Sequence, residues 1–251
     1  MNFEERIEKF NKLIKNSKKI VFFGGAGVST ESGIPDFRSK DGLYNTMDVK
    51  FENYSPVYLL SRDCLYKEPK VFFEFYRQKM NCEDIEPNIT HKVLMQMEAV
   101  GKLTSVITQN IDGLHQKAGS KKVWEIHGTT LKNHCTKCGQ LFSANYIFKN
   151  EEVIPRCHKN ECGGIIRPNV VLYGESLPSY AYDEAYTDLA EADLIIVGGT
   201  SLSVYPAASF IEEQVRFKKI VLINRDETSL DDQCELVFHE GLGEVFSKIE
   251  F

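Results

Sequence analysis

Long apolar runs, an excess of positive charge and internal repeats are all missing from this chain of 251 residues, and each absence removes a class of function. No stretch approaches the roughly 20 apolar residues that span a bilayer. The opening Met1-Asn2-Phe3-Glu4-Glu5-Arg6 lacks the charged-then-apolar pattern of an export signal, so a cytoplasmic location with no membrane partner is expected. A formal charge of -6 argues against the basic face of a nucleic-acid binder, although an acidic protein suits basic peptides. Neither a repeat nor a low-complexity linker is present. With 42% apolar residues the chain has enough to bury a full core, as one large domain and a small insert.

The apolar residues fall in short, largely β-branched runs at 20–23, 103–107, 170–172, 194–197 and 220–223. Helical spacing separates them over 90–99, 180–190 and 207–215, and Ile7, Phe10, Leu13 and Ile14 set a first helix over 3–14. Strands alternating with helices predict an α/β protein with a parallel sheet covered on both faces. Two stretches break the alternation. One, 37–88, is aromatic-rich with helical spacing at Val71, Phe72, Phe75 and Tyr76; the other, 132–167, holds most of the cysteines. Both read as insertions, so 1–36, 89–131 and 168–251 are expected to form the larger domain and 37–88 with 132–167 the smaller.

The run GGAGVSTESGIPDFR, Gly24 to Arg38, directly follows Ile20-Val21-Phe22-Phe23. A buried strand entering glycines lets backbone N–H groups and a helix N-terminus approach a pyrophosphate, so a dinucleotide is the first ligand to test. Thr30 replaces the third glycine of G-x-G-x-x-G, and no second strand with an acidic end follows about 20 residues on. An ordinary tight turn is the competing reading, and the extension through Asp36-Phe37-Arg38 is the more specific part.

Further polar residues sit at other strand ends. TQNIDGLH, Thr108 to His115, continues the run at 103–107 and places Gln109, Asn110 and Asp112 where ligands of parallel sheets bind, unless they only cap the loop. His127 follows Val123-Trp124-Glu125-Ile126, and an imidazole with an ordinary pKa near 6.5 can take a proton at neutral pH; a satisfied structural histidine is the alternative. Gly198-Gly199-Thr200-Ser201 and Ile223-Asn224-Arg225 end two more strands, where hydroxyls and an amide suit phosphate and ribose groups or ordinary turn chemistry.

Seven cysteines in a reducing compartment favour ligands or free thiols over disulfides. Cys135-Thr136-Lys137-Cys138 and Cys157 to Cys162 form two knuckles with 18 residues between them, and Gly139, Gly163 and Gly164 permit the turns. Four thiolates complete a tetrahedral zinc shell with no open position, which indicates a structural ion. A redox dithiol is the lesser alternative, because it needs no second pair. His158 is a spare ligand, and Cys64, Cys82 and Cys234 read as small buried apolar residues.

Taken in order, GAGVSTESGIPDFR, TQNIDGLH, His127-Gly128, the paired cysteines and GTSL from Gly199 to Leu202 resemble the sirtuin family of NAD-dependent protein deacylases. The resemblance spans about Ile20 to Asn224. It implies a Rossmann-like sheet domain, a small zinc-ribbon and helical domain, and a cleft between them for acetyl-lysine protein or peptide substrates. By motif position it implies NAD contacts from Ala26, Thr30, Phe37, Arg38, Gln109, Thr200, Ser201, Asn224 and Arg225. Asn110, Ile111 and Asp112 would line the nicotinamide pocket, and His127 would be the general base. NAD would then be a co-substrate whose glycosidic bond breaks, giving free lysine, nicotinamide and O-acyl-ADP-ribose. The segment 170–175 resembles the family's peptide-binding strand, with Val171 and Tyr173 as substrate contacts and 203–205 as the opposite edge.

Members that prefer malonyl or succinyl lysine carry a tyrosine and an arginine three apart; here Tyr76 is followed by Lys79, and Arg77 points about 100° away. Lysine lacks a bidentate fork, so deacetylation over desuccinylation is expected from a protein acting as a monomer. A broader lysine deacylase, a mono-ADP-ribosyltransferase and an idle NAD-sensing module are the rivals. An idle module has no need of His127, Asn110 and Asp112 together.

Overall fold

The computed structural model describes residues 1–36, 42–43 and 48–251, and in it the buried apolar runs line up as a parallel sheet. Its strands are β1 (Ile20–Gly24), β2 (Leu103–Thr108), β3 (Val123–Glu125), β7 (Leu194–Gly198), β8 (Lys219–Ile223) and β9 (Leu236–Phe238), in the order β3-β2-β1-β7-β8-β9. A second, antiparallel sheet has the order β5-β4-β6, from β4 (Gly128–Cys135), β5 (Leu141–Ser143) and β6 (Ile166–Val170). The α/β expectation holds, and with it a separate module carrying the cysteines.

Alternation along each strand builds the two faces. Ile20 and Phe22 of β1, with Leu194 and Ile196 of β7, pack on Ile7, Phe10 and Ile14 of the helix Phe3–Asn16 and on Leu94 and Met97 of Ile89–Ala99. Val21, Phe23, Ile195 and Val197 face the other way, onto Leu189 of Ser179–Glu191 and Phe210 of Ser209–Gln214. The first helix starts at an Asn2–Glu5 capping box. Lys102 Nζ closes its far end by donating to the carbonyls of Ile14, Lys15 and Ser17.

A third core joins the two inserts. Phe72, Phe73, Phe75 and Tyr76 of the helix Pro69–Lys79 pack with Ile147, Ile166, Cys135 and Cys157. Tyr76 stacks on Phe148 at 5.5 Å between ring centroids, and Arg77 donates to the carbonyls of Ile147, Glu152 and Val153. The expected boundaries at 131/132 and 167/168 fall inside β4 and β6, which run unbroken across them.

One strand expectation is corrected. The run at 170–172 belongs to no strand of the parallel sheet; Val170 ends β6 in the antiparallel sheet, opposite Gly128, and a turn follows. Three apolar residues cannot by themselves distinguish a parallel from an antiparallel strand. The helix Leu242–Phe246 and strand β9, too short for a periodic signal, also escaped the pattern.

The chain leaves β1 outward to β2 and β3, then crosses to β7 on the other side, so the order reverses between β1 and β7. Glycines meet at that point. A Cβ on Gly27 would lie 2.7 Å from Gly199 Cα, and one on Gly199, at φ +60°, would lie 2.5 Å from Val28 N. Gly199→Ala therefore combines a left-handed backbone with a backbone clash, and calorimetry should show Tm falling by roughly 5–15 °C; an unchanged Tm would show that the two loops have room to part.

Candidate active site and metal centre

Strand register sets out the site. Glu125, Thr108, Gly24, Gly198, Ile223 and Phe238 pair in one row across the sheet, so the carboxyl ends are level. Of the residues just beyond the row, Gln109, Gly199 and Asn224 line one crevice, and Gly25 packs beneath it against Gly199 and Thr200. Gly25 N–H donates to Gly198 O at 3.1 Å, Gly27 N–H to Gly199 O at 2.8 Å, and Gln109 N–H to Gly24 O at 2.9 Å. The Gln109 side-chain amide donates to Thr200 Oγ1 at 3.0 Å, linking β2 to β7 across β1. The crevice has a volume of about 490 Å³, within the range of small-molecule sites.

The imidazole of His127 lies on its wall. Nδ1 is 3.0 Å from the Gln109 carbonyl oxygen. A carbonyl only accepts, so Nδ1 carries the proton and Nε2 presents a lone pair. Burial lowers the pKa of His127 below its ordinary 6.5, and the Gln109 carbonyl counters part of that shift.

Beside it, a directed chain of donors ends on a carboxylate. Asn110 Nδ2 donates to Ser29 Oγ at 3.0 Å, and Ser29 O–H donates to Asp112 Oδ2 at 2.7 Å. Asp112 Oδ1 accepts from Leu114 N–H at 2.9 Å. Burial raises the pKa of Asp112, while the Leu114 and Ser29 donors act to lower it. Asn110 and Asp112 are thus oriented by Ser29, which sequence reasoning had passed over. Its position inside GAGVS was the available signal, but nothing in the string pairs it with residues 81 and 83 positions away.

Of the residues singled out in the sequence, Ala26, Gln109, Asn110, Ile111, Asp112, His127, Val171, Tyr173, Thr200, Ser201 and Asn224 all line this one cleft. Thr30 stands outside the lining, with its hydroxyl donating to Gly27 O at 3.0 Å, and Arg225 is exposed beyond it. Phe37 and Arg38 lie outside the described residues. Cys82 is half-buried and lines the cleft beside Met80 and Lys79, where the sequence suggested a mere filler. Tyr76 also lines it and Arg77 does not, in keeping with the angle between them on one helix. Near Val171 and Tyr173 much of the backbone is already paired: Val171 N–H donates to His127 O, Tyr173 N–H to Leu60 O, and Arg62 N–H to Tyr173 O.

The four sulfurs of Cys135, Cys138, Cys157 and Cys162 lie within 4.8 Å of one another. Two of the separations are 3.6 Å and 3.8 Å. Thiolates at the usual ~2.3 Å from zinc stand about 3.8 Å apart on a tetrahedron, so the donor set fits that ion. Gly139 N–H to Cys135 O and Gly163 N–H to Cys157 O close the two knuckles. Gly164 must lack a side chain, since a Cβ there would lie 2.6 Å from Cys135 Sγ. His158 turns away to Glu152 at 2.9 Å.

Residues 25–206, from the glycine loop to the far wall of the cleft, match the model of the Sir2 family. The chain belongs to the Sir2 family. It is 46% identical over 245 residues to an NAD-dependent protein deacetylase of Clostridium acetobutylicum, with 98% of each chain covered. Among solved structures, Sir2 with a p53 peptide and NAD+ matches at a TM-score of 0.85 and 37% identity over 96% of each chain. Sir2 bound to acetylated peptide matches at 0.86 and 35%, also over 96% of each. No described helix is long and apolar enough to cross a membrane.

In this Sir2 protein the cysteine module shares its core with the aromatic helix Pro69–Lys79, so metal loss should be felt beyond the knuckles. Cys135→Ser is expected to abolish stoichiometric zinc by atomic absorption and to collapse the near-UV circular dichroism of that core, while far-UV signal from the parallel sheet persists. A metal-free variant with its near-UV spectrum intact would contradict this.

Proposed function

We propose that this protein is an NAD-dependent protein lysine deacetylase. The observation that carries the reading is the His127 imidazole, held in one tautomer with Nε2 available, in the same cleft as the Asn110–Ser29–Asp112 chain. Both lie directly beyond the glycine-lined switch point, where the absence of side chains lets a pyrophosphate approach the backbone. NAD supplies the ribose carbon that accepts the acyl oxygen when its glycosidic bond breaks. The family membership and the NAD and acetyl-peptide complexes of similar Sir2 proteins support the same reading.

Each residue then has a task. Gly25, Ala26, Gly27, Thr200, Ser201 and Asn224 receive the diphosphate and ribose, and Gln109 keeps the β1 and β7 loops in register. Asn110, Ile111 and Asp112 bound a buried nicotinamide pocket that excludes water as the pyridine leaves. His127 Nε2 takes a proton from a ribose hydroxyl and so makes that oxygen the nucleophile toward the transferred acyl group. With one water, the products are lysine, nicotinamide and O-acetyl-ADP-ribose. Val171 and Tyr173 belong to the peptide side, and the cysteines hold one structural zinc. We assign the sheet domain to 1–36, 89–131 and 168–251 and the smaller domain to the two inserts, with β4 and β6 crossing the joins between them, and the cytoplasm as the working compartment.

Lys79 and Tyr76 line the cleft, and a single ammonium grips a carboxylate less well than a guanidinium fork. Incubation with NAD and acetyl-, propionyl-, butyryl- and succinyl-lysine peptides should release nicotinamide and O-acyl-ADP-ribose, with acetyl preferred over succinyl. Transfer of ADP-ribose onto a protein without deacylation would overturn the reading in favour of a transferase.

The base must be neutral to act, and burial holds its pKa below 6.5. The acid limb of kcat/KM should therefore lie below pH 6.5, with activity rising as pH increases through that limb and level at neutrality. His127→Ala should cut turnover by at least ~100-fold while leaving NAD binding by calorimetry within about threefold. Unchanged turnover would remove His127 as the base.

A further inference from the structure

A buried ion pair holds the segment that forms the cleft wall beyond β6. Leu172 to Glu175 make a β-turn, closed by Glu175 N–H donating to Leu172 O at 3.0 Å, with Gly174 at φ +87° in the position that favours glycine. The Glu175 side chain folds back over its own turn, where Oε2 accepts from Leu172 N–H at 3.0 Å. Arg167 of β6 then grips both carboxylate oxygens, Nη1 to Oε1 at 2.5 Å and Nη2 to Oε2 at 2.9 Å. Nε and the second Nη2 hydrogen donate to the carbonyls of Pro168 and Val170, and the Tyr66 side chain is a further hydrogen-bond partner of the guanidinium. The two side chains are only 10% and 19% exposed. Burial pushes the Glu175 carboxyl up, and the Arg167 fork with Leu172 N–H more than reverses this, leaving it below the ordinary carboxylate range.

The turn so fixed touches both halves of the site. Val171 N–H donates to the carbonyl of His127, and Tyr173 pairs with Leu60 and Arg62 of the helical insert. Val171, Leu172, Tyr173 and Gly174 all line the cleft. A buried pair is weak evidence of stability, because desolvating both charges consumes most of their attraction; fixing one conformation is the use that remains. We propose that Arg167 and Glu175 are positioning residues that keep the 171–175 turn shaped to receive the acyl-lysine peptide, an inference that rests on the deacetylase reading above.

Two variants separate positioning from plain stability. Arg167→Met combined with Glu175→Gln removes both charges yet keeps an acceptor for Leu172 N–H, so the fold should hold with Tm within a few degrees. Arg167→Lys keeps the charge and loses the fork. Steady-state deacetylation with acetyl-lysine peptide and NAD varied in turn should show the peptide KM raised about tenfold in the double variant and less in Arg167→Lys. The NAD KM, and NAD affinity measured without peptide, should stay within about twofold. An unchanged peptide KM in Arg167→Lys and the double variant, or peptide and NAD constants rising together with a fall in Tm, would overturn the proposal. Wild-type protein that leaves the peptide acetylated would instead sink the deacetylase reading, and the pair's role with it.

Discussion

Two loops touch backbone to backbone at the point where the parallel sheet reverses its strand order, and the cleft exists because they do. Gly25 and Gly27 lie against Gly199 and Thr200 so closely that a single Cβ would meet main-chain or Cβ atoms at 2.7–2.8 Å. The contact keeps the β1 and β7 loops low, with the Gly25 and Gly27 N–H groups bonded to the Gly198 and Gly199 carbonyls, and Ala26, Gly27, Thr200 and Ser201 line the crevice above it. Level carboxyl ends across the sheet do the rest, since Gln109, Gly199 and Asn224, directly after β2, β7 and β8, then reach the same space.

This is also why so much of the site was legible in the sequence. In a parallel sheet the polar motif after each apolar run has a common destination, so GAGVS, TQN, GGTS and INR could be grouped without knowing the strand order. The runs themselves were readable because β1, β7 and most of β2 and β8 are buried on both faces and so almost continuously apolar. The antiparallel module was not readable in this way. Strands β4 and β5 have mixed burial, β6 is mostly buried but carries Arg167, Pro168 and Asn169, and only the cysteine spacing announced the module. For the same reason 170–172 was assigned to the wrong sheet: an apolar triplet carries no information about its partner. Contacts between distant residues, such as Ser29 with Asp112 and Tyr76 with Phe148, have no signature in the string.

The inserts depend on each other more than their separation in sequence suggests. The helix Pro69–Lys79 gives one face to the cleft, through Tyr76 and Lys79, and another to the cysteine module, through Arg77. Its aromatic side chains and two of the metal-ligating cysteines are buried in one cluster. A tetrahedral ion that fixes four sulfurs therefore also fixes the wall against which an acyl chain would lie, although no sulfur faces that chain. The zinc acts at a distance through packing, which in a close-packed interior transmits small displacements.

His127 is held from two sides that belong to different parts of the molecule. Its ring is tied through Nδ1 to the Gln109 carbonyl, and Gln109 is in turn bonded to Gly24 and Thr200, so the imidazole takes its orientation from the β2–β1–β7 row. Its backbone carbonyl accepts from Val171 N–H, at the edge of the turn clamped by Arg167 and Glu175. The proton-bearing nitrogen is thus set by the Gln109 side, and the backbone of the residue is held from the Val171 side. The first contact fixes which nitrogen carries the proton; the second ties the His127 carbonyl to the 171–175 turn. In the proposed reaction, the residue assigned as base therefore has its ring and its backbone held by separate contacts.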